Sequence, residues 1–203
     1  MIEHYSRYHN IVGGSSMYTT KEKLSVQEEV ILAIYHLLYG KAYDCSPKLD
    51  ADHKNPVHIN AQKADFFFSQ MMLPVGDYGF SWNYRGPYSA ALQSELRILD
   101  EKATLVSEYY QDWDARKDVK LGEIFTQRQM KRAKDAAEQV KEITSQEKGG
   151  ELLGSLLYIS TAVLPGYGFE RVNEELQRRK EAFPDSEVNL RAWKSLEALH
   201  LVP

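Results

Sequence analysis

Residues 80–99 read FSWNYRGPYSAALQSELRIL. Phe80, Trp82 and Tyr84 alternate with small or polar residues, the period-two pattern of an extended segment, which is predicted over residues 78–84. Arg85-Gly86-Pro87-Tyr88-Ser89 then turns the chain. Gly86 permits a sharp turn, and Pro87 pre-sets φ where the first turn of a helix tolerates it. Tyr88, Leu92, Leu96 and Leu99 recur at spacings of four, four and three, so a helix is predicted over residues 87–100. The aromatics would pin this corner to a core supplied by the rest of the chain.

Upstream, the period is helical. Ser25 with Glu28 makes a capping box, and Val26, Val30, Ile34 and Leu37, widened by Ile31 and Leu38, form one stripe ending at Gly40. Residues 41–58 carry two prolines and no period, which reads as a loop. Asn60 is the expected cap of a second helix, with Ala64, Phe67, Phe68, Met71 and Met72 inward, Phe66 enclosed, and Pro74 and Gly76 as the stop. Residues 1–24 are polar and aromatic by turns around Gly13-Gly14-Ser15-Ser16 and are read as an extension outside the helical domain of residues 25–203.

Downstream, residues 103–110 (ATLVSEYY) fit a strand or a short helix equally well. Thr126 and Gln129 form a second capping box, opening a helix to about Gln146. Its inward residues Met130, Ala133, Ala137 and Val140 make a narrow, small face, which predicts a peripheral position for it. Gly149-Gly150 breaks the pattern, and residues 151–164 are apolar nearly all round, the mark of a central helix. Phe169, Val172, Leu176 and Phe183 mark the next helix, and a last one is capped by Ser186 with Ala192, Trp193, Leu196 and Leu199 inward. The expected fold is mainly α: a compact single-domain bundle of about seven helices with at most one small β-hairpin near residues 78–84.

Composition bounds the function. The 203 residues are 43% apolar, so neither disorder nor a disulfide scaffold is needed to explain the chain, and Cys45 is the sole cysteine. The net charge of −4 is evenly spread, with 9 bases and 11 acids in residues 1–100 and 16 and 18 in residues 101–203. A protein that binds duplex nucleic acid by bulk charge would show a basic footprint instead. The densest apolar window, Leu152 to Leu164, is too short to span a bilayer, and the first ten residues hold no apolar signal core. A cytoplasmic protein is expected.

Chemistry is sparse. The six histidines form no HExxH, and Cys45 sits beside Asp44, whose charge raises a thiol pKa. Asp50, Asp52 and His53 could ligate a divalent metal, but a solvated polar loop explains them as well. Asp112 and Asp114 fall in a charged stretch read as a loop, and no Walker or GxSxG motif occurs. Catalytic residues, cofactors and metal ligands are therefore all assigned as none. Five acids and one base from Asp100 to Asp114 are followed by seven bases and two acids from Arg116 to Lys134. Such separated blocks steer a complementary protein surface, and Arg128, Lys131, Arg132 and Lys134 are the candidate partner-binding residues. Phosphate binding through the basic stretch 116–134 is one alternative, and an enzyme with a dispersed site in the loop 41–58 is another.

The corner at Phe80, Trp82, Arg85, Gly86, Pro87, Tyr88 and Ser89 resembles the signature of the Panacea domain, the SocA-like antitoxin family, with its YwgA-like relatives. Residues 151–158 (ELLGSLLY) are similar to that family's central helix, and Lys180 with Phe183, then Ala192-Trp193 with Leu196, resemble its closing helices. The likeness covers about residues 25–201, weakly over 101–148, where a variable charged helical insert is expected. It implies a non-enzymatic bacterial or phage protein that neutralises a toxin by direct binding or delivers a protein to a protease. Its partner would be another protein such as a cognate toxin, with a second copy of the chain also open, and with no cofactor and no membrane. The family brings no catalytic residues, and the GPYS turn is expected to maintain the fold.

Overall fold

The computed structural model describes residues 23–46 and 55–203; residues 1–22, Asp50, Asp52 and His53 lie outside the described residues. The chain is mainly helical with one small antiparallel hairpin. Nine α-helices occur among the described residues: α1 Val26–Tyr39, α2 Pro56–Gln70, α3 Ala90–Glu101, α4 Ala103–Gln111, α5 Trp113–Ile124, α6 Gln127–Thr144, α7 Gly149–Tyr158, α8 Phe169–Arg179 and α9 Ser186–Ala198. A π-helical turn, Ile159–Val163, prolongs α7.

Two helices more than expected are present. Residues 103–110 resolve as helix α4, and α5 takes in Asp114, expected as loop, while Asp112 is the turn between the two helices. Within α5 only Trp113 and Leu121 are buried, eight residues apart, too few for a period to show in the sequence. The first helix begins as expected, with the Ser25–Glu28 capping box closed in both directions and Gly40 at φ +65° ending it. Val26 is exposed nonetheless.

Helix α2 starts earlier than the sequence suggested. Asn55, not Asn60, is the cap, accepting from the Val57 amide at 2.9 Å, and Pro56 fills the first helical position that needs no N–H. Residues 56–58 therefore leave the expected loop. Met72 points outward at the far end, with φ +55°.

The corner at Gly86 is also revised. The extended segment narrows to β1 Ser81–Asn83, and Gly86–Tyr88 is not helix but β2, paired so that Trp82 faces Pro87. Ser89 caps α3 instead, accepting from the Leu92 amide at 3.3 Å. Pro87 suits an edge strand as well as a helix start, since neither needs its missing N–H.

Helix α6 is not peripheral. It packs on α1, α5, α7 and α9, and Ala133, Ala136, Ala137, Val140 and Ile143 are buried. Small side chains there allow close helix approach rather than mark weak packing. Gly149-Gly150 follows the break between α6 and α7 and opens α7, two residues earlier than expected: a Cβ on Gly149 would collide with the Ile143 carbonyl. At the C-terminus Phe183 lies beyond α8, and Asp185 rather than Ser186 caps α9. The described helices share one core, in which α2 packs on α1 and α7, and the hairpin lies across α2 and α7.

Candidate protein-docking groove

Helices α5 and α6 meet the C-terminal end of α1 along an open groove of about 570 Å³. Sequence spacing explains its two walls. Asp114, Lys117, Asp118 and Leu121 fall on one face of α5, and Lys134, Ala137, Glu138 and Lys141 on one face of α6, each at i, i+3, i+4, i+7. Leu37 and Tyr39, half-buried, give the groove its apolar surface over the buried Trp113, Leu121 and Ala137, and the charged side chains rim it.

The rim is laced by ion pairs. Lys134 Nζ binds Asp118 Oδ1 and so ties α6 to α5, while Lys141 and Glu138 stand 3.2 Å apart along α6. Salt-screened pairs of this kind add little to stability and can exchange partners. On its floor, the His36 ring stands 4.6 Å from Trp113, and its buried Nδ1 has no hydrogen-bond partner. Burial holds His36 below the usual histidine range, an effect that Asp114 opposes and Lys117 reinforces.

Of the four basic residues expected to bind a partner, Lys134 lines the groove and the others lie on the exposed surface of the same helix. Lys131 is bound to Asp135 at 2.6 Å, one turn along. The sequence had no signal for Lys117, Lys141 or His36 as groove residues, because three helices must pack before they share a surface.

At the aromatic corner Gly86, Pro87 and Ser89 are buried and Phe80 and Trp82 half-buried, whereas Tyr84 is exposed and does not pin the turn to the core. Lys63 Nζ donates to the Pro87 carbonyl at 2.6 Å, and Gln62 and Ser89 exchange two hydrogen bonds, of 2.9 and 2.8 Å. Lys180 Nζ donates to the Tyr84 carbonyl at 2.7 Å and to Glu151 at 2.5 Å. Gly86 has φ +87°, and a Cβ there would stand 2.7 Å from Ser155 Oγ. Phe80 packs edge-on to Phe66, and the Arg179 guanidinium lies 5.0 Å over Trp82. Arg85 and Tyr88 are half-buried at the turn. Burial lowers both lysines, Lys63 to about 7, with Glu151 opposing the shift.

Another polar cluster surrounds the start of α2. His58 Nε2 stands 2.8 Å from Asp100 Oδ2, Gln93 Nε2 stands 2.8 Å from His58 Nδ1, and the Tyr43 hydroxyl donates to Asp100. Nδ1 is thus hydrogen-bonded, whereas Nε2 stands within ion-pair distance of Asp100 without an aligned hydrogen bond. Cys45 donates to the Leu99 carbonyl, and burial, then Asp100 and Asp44, push its thiol up to about 11. Among the described residues no three His, Cys, Asp or Glu side chains gather as a metal site would need, and no helix is long and apolar enough to cross a membrane.

The chain matches no family model, no curated protein and no solved structure.

Proposed function

We propose that this chain is a Panacea-type protein-binding module, an antitoxin or proteolytic adaptor that acts from the cytoplasm and takes a segment of a partner protein in the groove between α1, α5 and α6. The observation that carries the reading is the groove itself, with half-buried apolar side chains at Leu37 and Tyr39 inside a rim of exchangeable charges. Apolar surface supplies affinity, and the rim supplies register and encounter rate. The antitoxin class rests on the resemblance of the Phe80–Ser89 corner and the C-terminal helices. Nucleic acid is the lesser reading, since the net charge of −4 gives no bulk basic footprint.

The test compares two charge-reversed variants with the wild-type chain as bait in its native host at mild salt. One variant carries Lys117→Glu and Lys141→Glu, and the other Lys131→Glu, Arg132→Glu and Lys134→Glu. A stoichiometric protein, toxic when expressed alone and lost from both variants, is the expected result. Capture unchanged by either variant overturns the groove as the docking surface. Capture of nucleic acid with a steep loss of affinity between low and moderate salt overturns the protein-binding reading.

A further inference from the structure

A second cleft, of about 450 Å³, opens where α2 and the π turn after α7 end, and shares no lining residue with the groove between α1, α5 and α6. Its walls are aromatic. Half-buried Tyr78, Phe80 and Tyr158 line it over the buried Phe66, whose ring centroid stands 5.1 Å from that of Phe80 and 5.8 Å from that of Tyr158. The ladder of rings continues outward to Trp82, 5.7 Å from Tyr158. At that end it already carries cations, with the Arg179 guanidinium 5.0 Å and Lys180 Nζ 5.5 Å from the centre of the Trp82 ring.

The charge at the cleft has one sign. Of the described residues that line it, Asp77 alone is charged, and it is exposed and pairs with no cation among the described residues. Ser69 and Gln70 stand in the last turn of α2, and Thr161 and Ala162 in the π turn, so two helix C-termini bring their partial negative charge here. Neither end holds a basic residue to offset it. The Ser69 hydroxyl donates to the Phe66 carbonyl at 2.7 Å and the Thr161 hydroxyl to the Leu157 carbonyl at 2.8 Å, so neither keeps a donor for an anion. Asp65, beside Phe66 in α2, is fully buried, and neither of its carboxylate oxygens is hydrogen-bonded. Burial pushes its carboxyl up to about 8, so at neutral pH the site's charge rests on Asp77.

We propose that this cleft binds a small organic cation with an alkylated ammonium head, seated among Tyr78, Phe80 and Tyr158 with Asp77 at the rim. Aromatic rings attract such a head through their quadrupoles, and alkylation lowers the hydration that a bare ammonium would have to shed. The volume falls within the roughly 300–1,000 Å³ of small-molecule clefts.

Choline tests this on the full chain, with binding followed through amide chemical shifts by NMR at low salt. Saturable binding in the millimolar range is expected, with shifts centred on residues 76–80 and 158–162 and affinity falling as salt is added. The uncharged carbon isostere of choline should bind about tenfold more weakly. Asp77→Asn, at an exposed position, should weaken choline about two- to fivefold. Tyr158→Leu should weaken it by about tenfold. A trimethyllysine peptide run beside choline distinguishes the source: tighter peptide binding assigns the head to a protein side chain, tighter choline binding to a free small molecule. Choline shifts that do not saturate, or that centre elsewhere on the chain, overturn the proposal. Equal binding of the isostere overturns it too, since the cleft would then read apolar surface alone. Both of those readings use the wild-type chain and need no variant to fold.

Discussion

Lys180 Nζ and Glu151 Oε1 are 2.5 Å apart, 3% and 8% exposed, and join the end of α8 to the first turn of α7 under the hairpin. Lys63 lies near the same carboxylate and, below about pH 7, adds a second buried ammonium to it. Removing the acid leaves both uncompensated. Glu151→Gln should cost roughly 3–5 kcal/mol in urea unfolding, as for other buried pairs that lose one member. Replacing the pair together, Glu151→Leu with Lys180→Met, should cost less than Glu151→Gln alone, and a double-mutant cycle measures the difference.

Lys63 makes stability rise with pH above neutrality. The folded state holds its proton only below about 7, whereas an unfolded lysine holds one to its ordinary 10.5. Between these values the unfolded chain binds more protons, so the penalty is full below about 7 and fades as pH approaches 10.5. Urea midpoints should climb from pH 7.5 to 10 for the wild-type chain, and Lys63→Met should flatten that climb.

Gly86 at φ +87° sits where a Cβ would stand 2.7 Å from Ser155 Oγ. Gly86→Ala carries both a backbone and a contact penalty, about 1–2 kcal/mol from the left-handed backbone alone. Adding Ser155→Ala removes the contacting hydroxyl, and partial recovery of the denaturation midpoint is expected. The remaining loss measures the backbone part.

Cys45 should be a slow thiol. Burial and two aspartates push it up to about 11, so at pH 7.5 its alkylation by iodoacetamide should run on the order of a hundredfold slower than in urea. Equal rates in the two conditions would show that the thiol is neither buried nor bonded to Leu99.

The charge-reversed chain with Lys131→Glu, Arg132→Glu and Lys134→Glu should keep its urea midpoint and slope. Its ion pairs are solvent-exposed on α5 and α6, and no core side chain depends on them. A collapsed midpoint would mean that the α5–α6 pair supports the fold and would remove this variant as a probe of docking.

The helical class, the two capping boxes at Ser25 and Thr126, the Gly40 stop and the buried α7 were all legible in the sequence, because they depend on near neighbours: a cap is three residues from its partner, and a stripe repeats every turn. The same local reading misplaced Gly86–Tyr88, since Pro87 is compatible with both a helix start and an edge strand. Pairing with β1 makes it a strand, and Lys63 and α7 from elsewhere in the chain back it. It also missed α5, whose two buried residues are too far apart to show a period, and it placed α6 outside because alanines look weakly apolar one at a time. The groove, the Lys63–Glu151–Lys180 cluster and the unpartnered Asp65 were beyond it altogether. Each is made of residues tens of positions apart, and a carboxyl or amine has no unusual chemistry until packing removes its water.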